Sequence, residues 1–240
     1  MKRLSLLTFV FAILSLVFII LLVFLRFPFP VYPLMSYQDA FDVLTPLVLI
    51  PVYYLLFRTS SNNRPSVTEV IAFMVLSAFW VEGQGMHLAA NSIHNLMDAL
   101  AKNSVLDVKG TDLFQLTYFF DEKLGHYLWH IGMLGLAALL IYREWRDPAG
   151  EATAWWPVIV GGSIYGLSYA LIFLEGEDVF LGLPFAALVA LLTLIWGRRR
   201  LARQPVLAFF FVACLTATLL FIGWGLYWGG FIPPSGAGII

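Results

Sequence analysis

The chain has 240 residues and a net charge of −1, with 60 % of its residues hydrophobic and 12 % charged. A soluble domain carries about 25 % charged residues, and a fold of this size with a mean hydropathy of +0.84 could not hide so much apolar surface from water. Near-neutral charge gives no reason to expect nucleic acid or an acidic partner, and a lone cysteine, Cys214, excludes an internal disulfide and a cysteine-based zinc knuckle.

Continuous apolar blocks, not short stretches of alternating polarity, predict helices rather than a β-barrel. The expectation is an all-α polytopic membrane helix bundle, one domain over 1–240, with about seven transmembrane helices at 4–25, 38–57, 67–90, 124–142, 155–174, 179–196 and 205–228. The first block is too long for a signal-peptide core and reads as a retained span. A proline-rich extended loop follows at 26–33, and Pro46 with Pro51 predicts a kinked second span. The longest loop, 101–123, contains a stretch at 111–120 expected to form a short interfacial helix. In the fifth span Gly161, Gly162 and Gly166, and in the seventh Gly225 with Gly229, have the spacing of close helix contacts, within the chain or in a homo-oligomer. Trp155, Trp156, Trp224 and Trp228 sit near span ends, as interfacial belts require.

With seven spans, ten of the fourteen basic residues fall on one face. The positive-inside rule then puts the N-terminus in the cytoplasm and the C-terminus outside, in a plasma or inner membrane.

All four histidines lie between His87 and His130. At 100° per residue His87, Asn91, His94 and Asp98 share one stripe of the third span, and Glu122, His126 and His130 follow at i, i+4 on the fourth. The third span ends and the fourth begins on the outer face, where the fifth delivers Glu175, Glu177 and Asp178. Ionisable groups at membrane depth are costly and are functional candidates by default. Imidazoles and carboxylates on facing helices suit a divalent metal, above all zinc. His87, His94, His126 and His130 are the candidate ligands, Asp121, Glu122 and Glu82 the candidate bases, and Asn91 and Glu175 the candidate substrate contacts. The same residues also fit a structural polar network or a proton pathway. Met86, Met97 and Met133 nearby would admit copper but serve equally as core fillers.

The run His126-Tyr-Leu-Trp-His130, preceded by Phe120-Asp121-Glu122, resembles the H-x-x-W-H element of the alkaline ceramidase and progestin/adipoQ receptor superfamily of seven-span proteins. That resemblance covers about thirty residues. It implies zinc on His87, His126 and His130 with Asp121 assisting, and lipid-amide hydrolysis as the activity. The family's histidine pair lies in its last span, whereas here it opens the fourth. Three function classes stand from this reading. The first is a metal-dependent hydrolase of a lipid or lipid-linked substrate. The second is a redox subunit carrying haem b or copper on paired imidazoles. The third is a transporter or an accessory subunit of a larger membrane complex.

Overall fold

Hydrocarbon offers no hydrogen-bond partner, so a spanning segment must satisfy its own backbone, and the helix is the local solution. The computed structural model describes residues 2–32, 34–103 and 107–239; Pro33 of the proline-rich loop and residues 104–106 of the long loop lie outside them. Among the described residues, seven helical segments are long and apolar enough to cross a bilayer, and they identify an integral membrane protein of the all-α class. The helices are α1 (Arg3–Ser15), α2 (Tyr37–Asp42), α3 (Leu44–Thr59), α4 (Val67–Asn103), α5 (Asp112–Tyr118), α6 (His126–Arg146), α7 (Trp155–Glu175), α8 (Val179–Leu192) and α9 (Pro205–Trp228). Their outward faces are apolar and exposed, as at Leu47, Met74, Leu188 and Leu219, and these contact lipid.

Spans five, six and seven fall where the hydropathy puts them, and the others differ for local reasons. Span one leaves α geometry at Leu16, passing through a π turn (Leu16–Ile20) and a 3₁₀ turn (Leu21–Phe24). There the Thr45 hydroxyl donates to the Phe18 carbonyl at 2.8 Å, an intrusion of the kind that breaks a regular ladder. Span two is divided at Val43 into α2 and α3. Pro46 has no N–H to offer the carbonyl of Asp42 four residues earlier. Gln84 approaches that carbonyl at 3.3 Å and the Asp42 carboxylate at 2.7 Å, and Trp80 in turn holds Gln84 at 2.7 Å.

The largest departures are in spans three and four. The helix expected over 67–90 runs on to Asn103 as a 37-residue helix, about 55 Å long at 1.5 Å per residue. The helix expected at 124–142 begins at Asp112, because α5, a π-helical stretch (Phe119–Gly125) and α6 are continuous. A bilayer core is about 30 Å thick, so both helices are longer than a perpendicular span requires.

The two ends of the bundle are built differently. At the arginine-rich end Arg143 donates to the Phe57 carbonyl (3.1 Å), the Asn63 carbonyl (3.1 Å) and the Glu69 carboxylate (2.8 Å), joining α3, α4 and α6. Beside it the fully buried Glu144 accepts the backbone N–H groups of Val206 and Leu207, the free donors that open α9. The histidine end holds a cavity and, among the described residues, no buried arginine.

Packing around α7 uses the glycines as expected, within the chain: Gly161 lies against Phe9 of α1, and Gly162 and Gly166 against Val212 and Ala213 of α9. Gly229, expected as a packing residue, instead ends α9 in the left-handed conformation (φ 68°), where glycine carries no Cβ penalty. A second seam, which hydropathy does not signal, brings α4 onto α6. A Cβ on Gly83 would strike the Trp129 amide and the Gly125 carbonyl, one on Gly125 would come within 3.1 Å of the Gly83 carbonyl, and one on Gly132 within 2.7 Å of the Leu76 carbonyl. Backbone cannot swing aside as a side chain can. Gly83→Ala is expected to destabilise the bundle by about 1–3 kcal/mol, read as a lower unfolding midpoint in detergent. Gly85→Ala, two residues on with open space around it, should cost nothing. Equal stability of the two variants would contradict the seam.

Candidate metal and ligand site

The seam decides what can face what. With α4 against the π-helical stretch, Asp121 is driven into the interface, fully buried, between two imidazoles of α4. Its Oδ2 lies 2.8 Å from Nδ1 of His94, and its Oδ1 lies 2.8 Å from Nδ1 of His87. The His94 contact is an aligned hydrogen bond, whereas the His87 ring points toward the Asp121 carbonyl as well, at 3.4 Å. His87 and His94 are seven residues apart, two helical turns, so one carboxylate placed midway reaches both. In a π turn, residues five apart rather than four come into register.

Glu122 remains close, with its carboxylate 3.9 Å from Nδ1 of His94 and a third of its side chain exposed. His94, Asp121 and Glu122 offer ligand atoms within 4.8 Å of one another, and among the described residues they form the one such group. His126 and His130 are arranged differently. Their rings stack at 5.6 Å, and His126 in turn lies 4.5 Å from the His87 ring. The four histidines thus divide into a pair on Asp121 and a ring contact series that runs deeper.

The deepest member, His130, is fully buried and bonds through Nδ1 to Asp178 at 2.7 Å. Asp178 comes from the turn between α7 and α8, where Glu177 adopts a left-handed backbone (φ 54°). That conformation costs a non-glycine residue about 1–2 kcal/mol. A carboxylate on one ring nitrogen fixes the imidazole's orientation and leaves the other free. Nε2 of His130 is buried with no partner, and Nδ1 of His126 faces the backbone of Gly176.

These groups wall a cavity of about 870 Å³. His87, His126, His130, Glu122 and Trp129 form one side, with Asn91 and Asn95 above them. Asp39, Asp42, Glu175 and Glu177 add carboxylates, and Ile19, Ile20, Val23, Phe24, Leu171 and Ile172 supply an apolar side. The C-terminal segment closes over part of the mouth, where the Ser235 amide donates to Glu175 at 3.0 Å and Trp224 to the Ile232 carbonyl at 2.9 Å.

Of the residues singled out from sequence, Asn91, Glu122, Glu175, His87, His126 and His130 line this cavity, and Asp121 and His94 lie directly behind it. Glu82 is exposed and outside it, because its neighbour Gly83 is the residue that faces α6. Met97 and Met133 are buried in the core. Asp178, Asp42 and Gln84 were not singled out as site residues. Only Asp178 carried a signal, an acidic residue following a glycine turn on the histidine face.

No family model matches the sequence and no solved structure matches it. The chain is similar to ceroid-lipofuscinosis neuronal protein 6 of Homo sapiens, with 21 % identity over 222 residues that cover 85 % of this chain and 68 % of the human one. That name states no reaction, ligand or partner.

Removing the Asp121 carboxylate strands two half-buried imidazoles. Asp121→Ala is expected to cost about 1–3 kcal/mol, measured as the unfolding midpoint in a denaturing-detergent titration. Asp121→Asn, which keeps one acceptor, should fall between it and the wild type. An Asp121→Ala protein as stable as the wild type would show that the bridge carries no load.

Proposed function

We propose that this protein is a metal-dependent membrane hydrolase of a lipid or lipid-linked substrate, with the ion on His94, Asp121 and Glu122. The observation that carries the reading is the approach of those three ligand atoms to within 4.8 Å, with Glu122 on the wall of a half-apolar cavity and the other two behind it. One imidazole and two carboxylates are a donor set that zinc accepts, and three protein ligands leave a position open. A divalent ion held there supplies Lewis acidity and a nucleophile at neutral pH. The chain's own residues do the rest. Asp121, held from its other oxygen by His87, keeps its orientation toward His94. His130 offers an unpartnered ring nitrogen at the cavity wall, suited to exchanging a proton with a leaving group. Asp178 keeps the His130 ring in place.

The cavity volume lies within the range of small-molecule sites, about 300–1,000 Å³. Its apolar side, drawn from the π and 3₁₀ turns that follow α1 and from α7, gives a hydrocarbon chain a wall continuous with the bilayer-facing helices. The haem reading has less support. Axial imidazoles sit on opposite faces of a porphyrin, and the rings of His87 and His126, at 4.5 Å, leave no gap for a macrocycle. The placement of basic residues at the opposite end supports a cavity on the extracytoplasmic side.

Metal analysis of detergent-purified protein tests the reading. Near-stoichiometric zinc is expected in the wild type, with loss of most of it in a His94→Ala, Glu122→Ala double variant. Purified wild-type protein that holds no divalent metal, even after zinc is supplied and excess removed, would overturn it.

A further inference from the structure

We propose that the cavity takes a cationic amphiphile, a long-chain molecule whose head carries an ammonium group. This rests on the reading of the cavity as a lipid-substrate site and assigns the class of substrate. The polar wall is rich in carboxylates that meet no lysine or arginine, and Asp42 has only the His87 imidazole nearby. Asp39 accepts from the Ser36 hydroxyl and amide, Asp42 from Gln84 and Thr45, and Glu175 from the Ser235 amide, all neutral donors. Of the carboxylates lining the cavity among the described residues, only Glu177 meets a lysine, Lys123, at 3.7 Å.

The one basic residue lining the cavity is Arg26, which is exposed and turned back onto the Val23 carbonyl. A divalent ion on His94, Asp121 and Glu122 would balance the two carboxylates it binds and leave the others as they are. Carboxylates in a poorly solvated wall are costly unless a charge pairs with them, and an ammonium head supplies that charge. A phosphate or sulfate head would face repulsion at the same place.

A second feature points to a ligand independently of charge. His130 is fully buried, yet its Nε2 lacks any partner and the residue lines the cavity. Buried polar atoms in folded proteins are nearly always satisfied. That nitrogen is placed to hydrogen-bond a hydroxyl or amide next to the ammonium, while Ile19, Ile20, Val23 and Phe24 take the chain.

The test uses the full chain in neutral phosphatidylcholine nanodiscs with empty nanodiscs as the blank. Hexadecylamine, hexadecanol and hexadecyl sulfate share one tail and differ in head charge, and isothermal titration reads their affinities. The amine is expected to bind about tenfold or more tighter than the alcohol, with the sulfate weakest. A Glu175→Gln variant should lose most of that preference and keep its affinity for the alcohol. If the alcohol binds as tightly as the amine, or the sulfate binds tightest, the ammonium assignment is overturned and the amphiphile site stands. If none of the three binds above the blank, the lipid-substrate reading fails and the assignment fails with it.

Discussion

The backbone contact between α4 and the segment leading into α6 is the constraint on which the site depends. Gly83 and Gly125 let the two chains touch without intervening side chains. A carboxylate is short, and only at that separation can Asp121 reach His87 and His94 from the facing segment. The π turn adds the rotation, since a regular α-helix through Phe119–Gly125 would bring different residues into register with His126. Close approach and altered register together turn four histidines spread over 44 residues into one polar wall.

The cost of that wall is met at the other end of the bundle. A membrane protein gains little from hydrophobic collapse between helices, and holds its helices together by packing and interhelical hydrogen bonds. Arg143 and Glu144 concentrate such bonds at the arginine-rich end, where four helices are tied by buried charged groups with their donors and acceptors matched. Next to them, Phe11, Tyr53, Tyr165 and Phe209 pack ring against ring, with the Tyr53 and Tyr165 hydroxyls 3.0 Å apart. The histidine end can therefore stay open, with a large cavity and an unsatisfied ring nitrogen, without loosening the whole.

Hydropathy made the membrane class and the seven spans legible, and the bounds of α7 and α9 with them. It failed at α4 and α6 because its signal fades where Asn91, Ser92, His94, Asn95 and Asp98 begin. The helix there persists through tertiary contact with α5 and the π stretch rather than through burial in lipid. The stripe of His87 and His94 was legible from helical angle alone. Their sharing of Asp121 was not, because it depends on a π turn that no local pattern marks. Asp178 was hidden for a related reason: its approach to His130 requires the left-handed turn at Glu177. Glu82 and the glycine seam are two views of one fact, the face of α4 that meets α6, which a single amphipathic reading of that helix does not resolve.

X-ray absorption at the zinc edge of the metal-loaded protein tests the arrangement most directly, since it counts imidazoles around the ion. One imidazole with carboxylate oxygens completing the shell is the expected result, and it places the ion on His94, Asp121 and Glu122. A shell of three imidazoles would move it to His87, His126 and His130 and contradict the division of the histidines on which the proposed chemistry rests.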